Sequence, residues 1–248
     1  MLIMNEAFTG EIRERALSLF GLNLSSGQMN RMALYGEHLL AWNKKINLTA
    51  LTDPHDIAVK HFLDSMAFGK AIEPLAEGNP ALRLVDLGSG AGFPGIVLKI
   101  VWPSWNIELV DALNKRVAFL ARTIELLELQ GIACRQARAE DLGRELSFRE
   151  KADIIVVRAV AELRVLLEYA FPLLRAGGHL IAGKGRRASE EIDQAQRALQ
   201  VLGGEVERVE RYTLGPEAED RALIIIQKKS VTPAKYPRKA GVPVRNPL

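Results

Sequence analysis

A single cysteine, Cys134, leaves no partner for an intramolecular disulfide and too few thiolates for a cysteine-built zinc site. The expected setting is therefore a reducing one, the cytoplasm. No apolar run approaches the roughly 20 residues that a membrane helix requires, so no membrane partner is expected. The start, Met1-Leu-Ile-Met-Asn-Glu6, lacks the basic lead and long apolar stretch of a secretory signal. His38, His55 and His179 show no ligand-like spacing, and no metal is expected. His61, between charges in Val59-Lys-His-Phe-Leu-Asp64, reads as a structural hydrogen-bonding residue. The last 20 residues contain no acid at all. What the chain does have is apolar material: 48% of 248 residues are hydrophobic, enough for a sizeable core. Lys and Arg outnumber Asp and Glu by 33 to 30, a formal charge of +3 and only a mild pull toward anionic partners.

Three regions follow from the pattern: a helical lobe over 1–72, an alternating core over 73–228, and a basic, proline-rich tail over 229–248. In the lobe, Ser25 or Ser26 caps a helix whose apolar positions Met32, Tyr35, Leu39, Trp42 and Ile46 recur at helical spacing. Asp53-Pro54 reads as a second helix start. From residue 81 onward strands alternate with helices. Strands are expected at 82–87, 107–111, 133–137, 153–158 and 180–184, and helices at 94–102, 114–129, 162–174 and 188–202. This order predicts parallel strands joined by right-handed crossovers, with helices on both faces. Two further strand-like runs, 205–214 and 222–228, predict a closing antiparallel hairpin. Cys134 falls mid-strand and reads as an inert core thiol.

The stretch Leu84-Val-Asp-Leu-Gly-Ser-Gly-Ala-Gly-Phe-Pro-Gly95 is a strand–glycine–helix unit. Glycine lacks the Cβ that would hold a ligand away from the backbone, so such a unit brings bare peptide groups against a cofactor. Gly90-x-Gly92-x-x-Gly95 also fits a dinucleotide fingerprint, and a nicotinamide-dependent dehydrogenase has to be weighed. Asp86 tips the balance. At the mouth of the first strand its carboxylate would repel a pyrophosphate, whereas S-adenosyl-L-methionine presents an ammonium and a sulfonium. Asp111, about 20 residues after the loop, is placed to hold ribose hydroxyls. The turn Ala139-Glu140-Asp141 would meet the adenine. A plain capping role for Asp86 is compatible with the same cofactor.

Absences narrow the acceptor. Carbon methylation of a pyrimidine needs a loop cysteine as nucleophile, and Cys134 is not in a loop. Methylation of an adenine amine commonly uses an Asn-Pro-Pro-aromatic turn after the fourth strand, where this chain has Val157-Arg158-Ala159-Val160. Guanine N7 has a free lone pair and no proton to lose, so alignment without a general base suffices. No catalytic residue is assigned beyond Arg158 as an orienting candidate, since arginine forks suit guanine or phosphate. The plainer alternative makes Arg158 an ion-pair partner, for instance of Glu140. Basic residues gather at Lys184-Gly-Arg186-Arg187 and in the tail, where Lys235 and Arg238 flank Tyr236. They are RNA-contact candidates, the alternative for the tail being a solvated, disordered end.

Several segments together resemble the bacterial 16S ribosomal RNA guanine-N7 methyltransferase G family, also called glucose-inhibited division protein B. They are Trp42-Asn-Lys-Lys-Ile-Asn-Leu-Thr49, Asp53-Pro54, Val59-Lys-His-Phe-Leu-Asp-Ser65, the glycine loop Val85–Gly95, Lys115-Arg116-Val117, Arg158-Ala159, Lys184-Gly185 and Tyr236-Pro-Arg-Lys-Ala-Gly-Val-Pro243. The resemblance implies a doubly wound α/β fold of the Rossmann-like class I S-adenosylmethionine-dependent methyltransferases. Its sheet would be mostly parallel and seven-stranded, ending in the antiparallel hairpin. It also implies a monomer acting on 16S rRNA of the small ribosomal subunit. Carried over by position, the cofactor contacts would be Gly88, Phe93, Ala139, Glu140 and Arg158. A small-molecule methyltransferase with the same core is the second alternative.

Overall fold

The computed structural model describes residues 4, 6–79, 81–158, 160–215 and 220–248. The lobe contributes α1 (Glu6–Phe20), α2 (Ser26–Ile46), α3 (Pro54–Ile57), a π-helical turn (Ala58–Leu63) and α4 (Asp64–Ala76). The core then runs β1 (Arg83–Leu87), α5 (Gly95–Val101), β2 (Asn106–Asp111), α6 (Asn114–Leu126), β3 (Ile132–Gln136), α7 (Ala139–Leu142) and β4 (Ala152–Arg158). It continues with α8 (Leu163–Ala170), β5 (Leu174–Lys184), α9 (Ala188–Gln194), α10 (Gln196–Leu202), β6 (Gly204–Tyr212) and β7 (Arg221–Lys228), and the tail ends in α11 (Val242–Arg245).

The seven strands lie in the order β3-β2-β1-β4-β5-β7-β6, with β7 antiparallel to both neighbours. The expected sheet and hairpin are therefore present. Strand order reverses between β1 and β4, and in open α/β sheets a crevice forms beyond the carboxyl ends at such a point. Register pairs Asp86 with Val156, so the glycine loop after β1 and Arg158 at the end of β4 emerge side by side.

Differences from expectation have local causes. The helix expected over 162–174 stops at Ala170 with Phe171 as its C-cap, because Pro172 has no N–H to continue the ladder; β5 starts early, at Leu174. The helix expected over 188–202 is two helices broken at Ala195. In the lobe, Ser25 is the cap: its hydroxyl accepts the Gln28 N–H while Gln28 reaches back to the Ser25 N–H. Asp53 caps α3 with Pro54 in the first turn. The sheet separates two cores. Lobe residues such as Phe8, Tyr35, Phe62 and Phe68 pack with α5, α6 and one sheet face, and α8 to α10 cover the other. Pro80, Ala159 and part of the link between β6 and β7 lie outside the described residues.

Candidate active site

Beyond the ends of β1 to β4 opens a cavity of about 510 Å³, bordered by Gly88, Asp111, Ala139, Glu140, Val160 and Tyr169 among others. Of the glycine loop Gly88 lines it, while Gly90 and Phe93 lie outside its border. Gly88 has φ +80°, and a Cβ there would stand 2.6 Å from the Val160 side chain, so both conformation and space demand glycine. Asp111 splints the loop. Its Oδ2 accepts the Gly90 N–H at 3.0 Å and meets Arg116 at 3.3 Å, and its Oδ1 accepts the Leu113 N–H at 2.9 Å.

Asp86 is not at the rim where the sequence placed it. It is 1% exposed, beneath the loop, where Oδ2 accepts the Gly95 N–H at 2.9 Å. Its Oδ1 is buried with no partner among the described residues. Burial pushes its carboxyl up to about 7, against the pull of the Gly95 N–H and Arg158. At that depth the carboxylate does not stand where it would repel a pyrophosphate; it is a buried acceptor needing a donor.

The tail closes the outer wall, through Ala240, Gly241, Val244 and Arg245. It is packed rather than solvated. Tyr236 is buried, Arg144 donates to the Pro237 carbonyl, and Arg149 to those of Tyr236 and Thr232. Arg238, an RNA candidate, instead grips the 1%-exposed carboxylate of Glu168 with Nε and Nη2. Glu140 accepts the Gly241 N–H at 3.0 Å. It is therefore a hinge between cavity and tail, not the partner of Arg158.

Arg158 is anchored from the lobe. Its Nη1 donates to the Lys60 carbonyl and to Asp64 Oδ2, both at 3.0 Å, and its Nη2 to His61 Nδ1 at 3.1 Å. His61 Nε2–H then faces Thr49 Oγ1 at 2.8 Å, while the ring stacks on Phe93 of the glycine loop at 4.5 Å. Arg158 lies over the same Phe93 ring, 5.3 Å from its centroid. Burial and the adjacent Arg158 charge hold His61 neutral, its titration lowered to about 3. Asp64 Oδ1 accepts the Tyr212 hydroxyl at 2.8 Å and meets Arg221 at 3.0 Å. The π-helical turn carries His61 and ends just before Asp64; such turns often mark functional positions. The sequence pattern gives His61 a structural role and does not single out Asp64, Tyr212, Arg221 or the tail wall. Only the His-Phe-Leu-Asp segment hinted at part of this.

Of the other RNA candidates, Lys184 is 9% exposed and bound to Glu191 at 2.7 Å and to the Ala161 carbonyl. Arg186 and Arg187 are exposed on the loop after β5, and Lys235 is exposed on the tail. Lys184 and Arg158 share one cleft; Lys235 does not reach it.

The family model for rRNA small subunit methyltransferase G matches residues 28–223. The chain belongs to that family. A protein named ribosomal RNA small subunit methyltransferase G from Desulfitobacterium hafniense is 44% identical over 248 residues, covering 100% of both chains. One of the same name from Oceanobacillus iheyensis is 42% identical, covering 98% of each. Among solved structures, M. jannaschii TYW2 in complex with AdoMet shares the fold at 15% identity and TM-score 0.50, covering 66% of this chain and 76% of that one. Membership makes the chain an S-adenosylmethionine-dependent methyltransferase and sets the dehydrogenase alternative aside. The site fits that donor: Gly88 and the Asp111 carboxylate on the cavity, and the orphaned Asp86 Oδ1 below. Among the described residues no helix is long and apolar enough to cross a membrane.

Proposed function

We propose that this methyltransferase modifies N7 of a guanine in 16S rRNA of the small ribosomal subunit, in the cytoplasm and as a monomer. S-adenosylmethionine, when bound, supplies an electrophilic methyl on a sulfonium. Gly88, Gly90 and Phe93 would carry its amino-acid end, Asp86 its ammonium, Asp111 its ribose, and Ala139 and Glu140 its adenine. Arg158 would orient the acceptor.

One observation carries the choice of acceptor atom: the titratable side chains that bond Arg158 are committed, and Asp86, which keeps one unpartnered oxygen, is sealed beneath the loop away from an acceptor. His61 uses both ring nitrogens, Asp64 is held by two arginines and a tyrosine, and Asp86 is buried under the loop. None is free to take a proton from an amine, and N7 has none to give. The chemistry reduces to aligning a lone pair with the methyl and excluding water. Undermodified small subunits incubated with radiolabelled S-adenosylmethionine, then digested to nucleosides, test this. The label is expected in 7-methylguanosine; label in a base amine or ring carbon, or turnover only on free metabolites, would refute it.

A further inference from the structure

A separate cavity, of about 360 Å³, lies at the opposite end of the strands from the donor site. Arg83, Asn106 and Ile132, which line it, are the first residues of β1, β2 and β3. The chain's connections account for it. Between β3 and β4 the only helix is α7, four residues long, or about 6 Å at 1.5 Å per residue. So short a helix leaves this half of the sheet face uncovered. Register sets Val85 beside Glu108 and Glu108 beside Ala133, a row across three strands. Phe148 and the buried Ala152 and Leu173 complete an apolar lining. We infer that this cavity binds a small molecule with a flat apolar body and one carboxylate.

Size and lining favour a small molecule, since such sites are concave, mostly apolar and carry a few polar groups. An RNA backbone would use the cations here and leave the apolar lining uncovered. Charge then selects the end group. Among the described lining residues Glu108 is the only acid, and it is already engaged. Arg135 Nε meets its carboxylate at 3.2 Å, and the same guanidinium lies over the Phe148 ring, 4.5 Å from the centroid. Arg83 and Lys151 are different. Both are exposed on the lining, and neither side chain makes an ion pair or hydrogen bond among the described residues. An amine would find its carboxylate taken, whereas a carboxylate meets two free cations. Phe148 offers ring contact to a flat body. Val85 directly precedes Asp86, and Glu108 lies on the strand that ends in Asp111. The bound molecule would therefore bear on the two strands that carry those carboxylates.

The probe is hydrocinnamate, titrated into isotope-labelled protein saturated with S-adenosylmethionine so that the donor cavity is filled. Amide NMR signals of Val85, Glu108, Ala133 and Phe148 should shift saturably, at concentrations on the order of millimolar for so small a probe. The uncharged amide, hydrocinnamamide, should bind about tenfold more weakly, the scale of two exposed charge contacts. Phenethylamine should not bind. Ala133 is exposed on β3 and lines the cavity, at a strand position that accepts aromatic residues. Ala133→Phe should therefore fill the cavity and abolish the shifts, with the melting temperature unchanged. Arg83→Gln combined with Lys151→Gln should erase the preference for carboxylate over amide. Should Ala133→Phe melt early, this double variant decides alone. The inference is overturned if the unaltered protein shows no saturable shifts, or if acid, amide and amine bind alike. It is equally overturned if Ala133→Phe folds and still binds the probe, or if shifts occur only without S-adenosylmethionine, which would put the probe in the donor cavity.

Discussion

Asp86 and His61 both feel the Arg158 guanidinium, and burial moves each away from its charged form. Unfolded, the Asp86 carboxyl titrates near 3.8; folded, near 7. Between those values the folded chain holds a proton that the unfolded chain has released, so stability falls as pH rises through the window. Asp86→Asn should therefore raise the melting temperature at pH 8 and change it little at pH 4, which thermal melts at the two pH values check. For His61 the order is reversed, about 3 folded against 6.5 unfolded, so its contribution is complete above 6.5 and lost as pH falls toward 3. His61→Phe should retain the stack on Phe93 but deprive Arg158 of an acceptor. Single-turnover kinetics should show a transfer rate down about tenfold or more, with donor affinity unchanged.

Elements hold the site through a few long contacts rather than many local ones. The capping box at the start of α2 is one. Gln28 completes the box, and its Nε2 also donates to the carbonyls of Ile100 and Val101 at the end of α5, 3.0 and 3.1 Å away. The helix that follows the glycine loop is thereby tied to the lobe. Tyr35, farther along α2, stacks on Phe93 at 4.9 Å and its hydroxyl donates to the Ala91 carbonyl inside the loop. Ser25→Ala should cost about 1 kcal/mol, the usual worth of a cap. Gln28→Ala should cost more, because it also uncaps α5; urea denaturation of the two variants measures the difference.

Across the whole molecule, the tail and the lobe approach the sheet's carboxyl edge from opposite sides. The tail is bound to the core by buried carboxylates: Arg238 pairs with Glu168, and the Thr232 N–H donates at 3.1 Å to Glu150, which also holds the fully buried Lys228 of β7 at 2.7 Å. Arg238→Ala would leave the Glu168 carboxylate buried and unpaired, a loss of about 3–5 kcal/mol by comparison with other broken buried pairs. Thermal denaturation should register it. Ending the chain after Lys229 should weaken S-adenosylmethionine binding as well as RNA binding, since Ala240, Gly241 and Val244 form the cavity's outer wall. Calorimetry on the shortened chain distinguishes this from an RNA-only role.

Local chemistry was enough to read the strand–helix alternation, the closing hairpin, the glycine loop, and the caps at Ser25 and Asp53. Each depends on periodicity, backbone freedom or hydrogen bonds spanning a few residues. Asp111 was legible too, because its spacing from the loop follows from one strand–helix–strand unit. Partnership at a distance was not legible. Nothing in the order of residues says that Arg158 meets His61 and Asp64 of the lobe instead of Glu140, or that Arg238 closes on Glu168. Nor does it say that Asp86 lies under the loop and not on its rim. Those outcomes depend on how strands lie side by side and which helices cover them. A buried charge takes whichever partner the packing brings within 3 Å, and only the folded chain determines that.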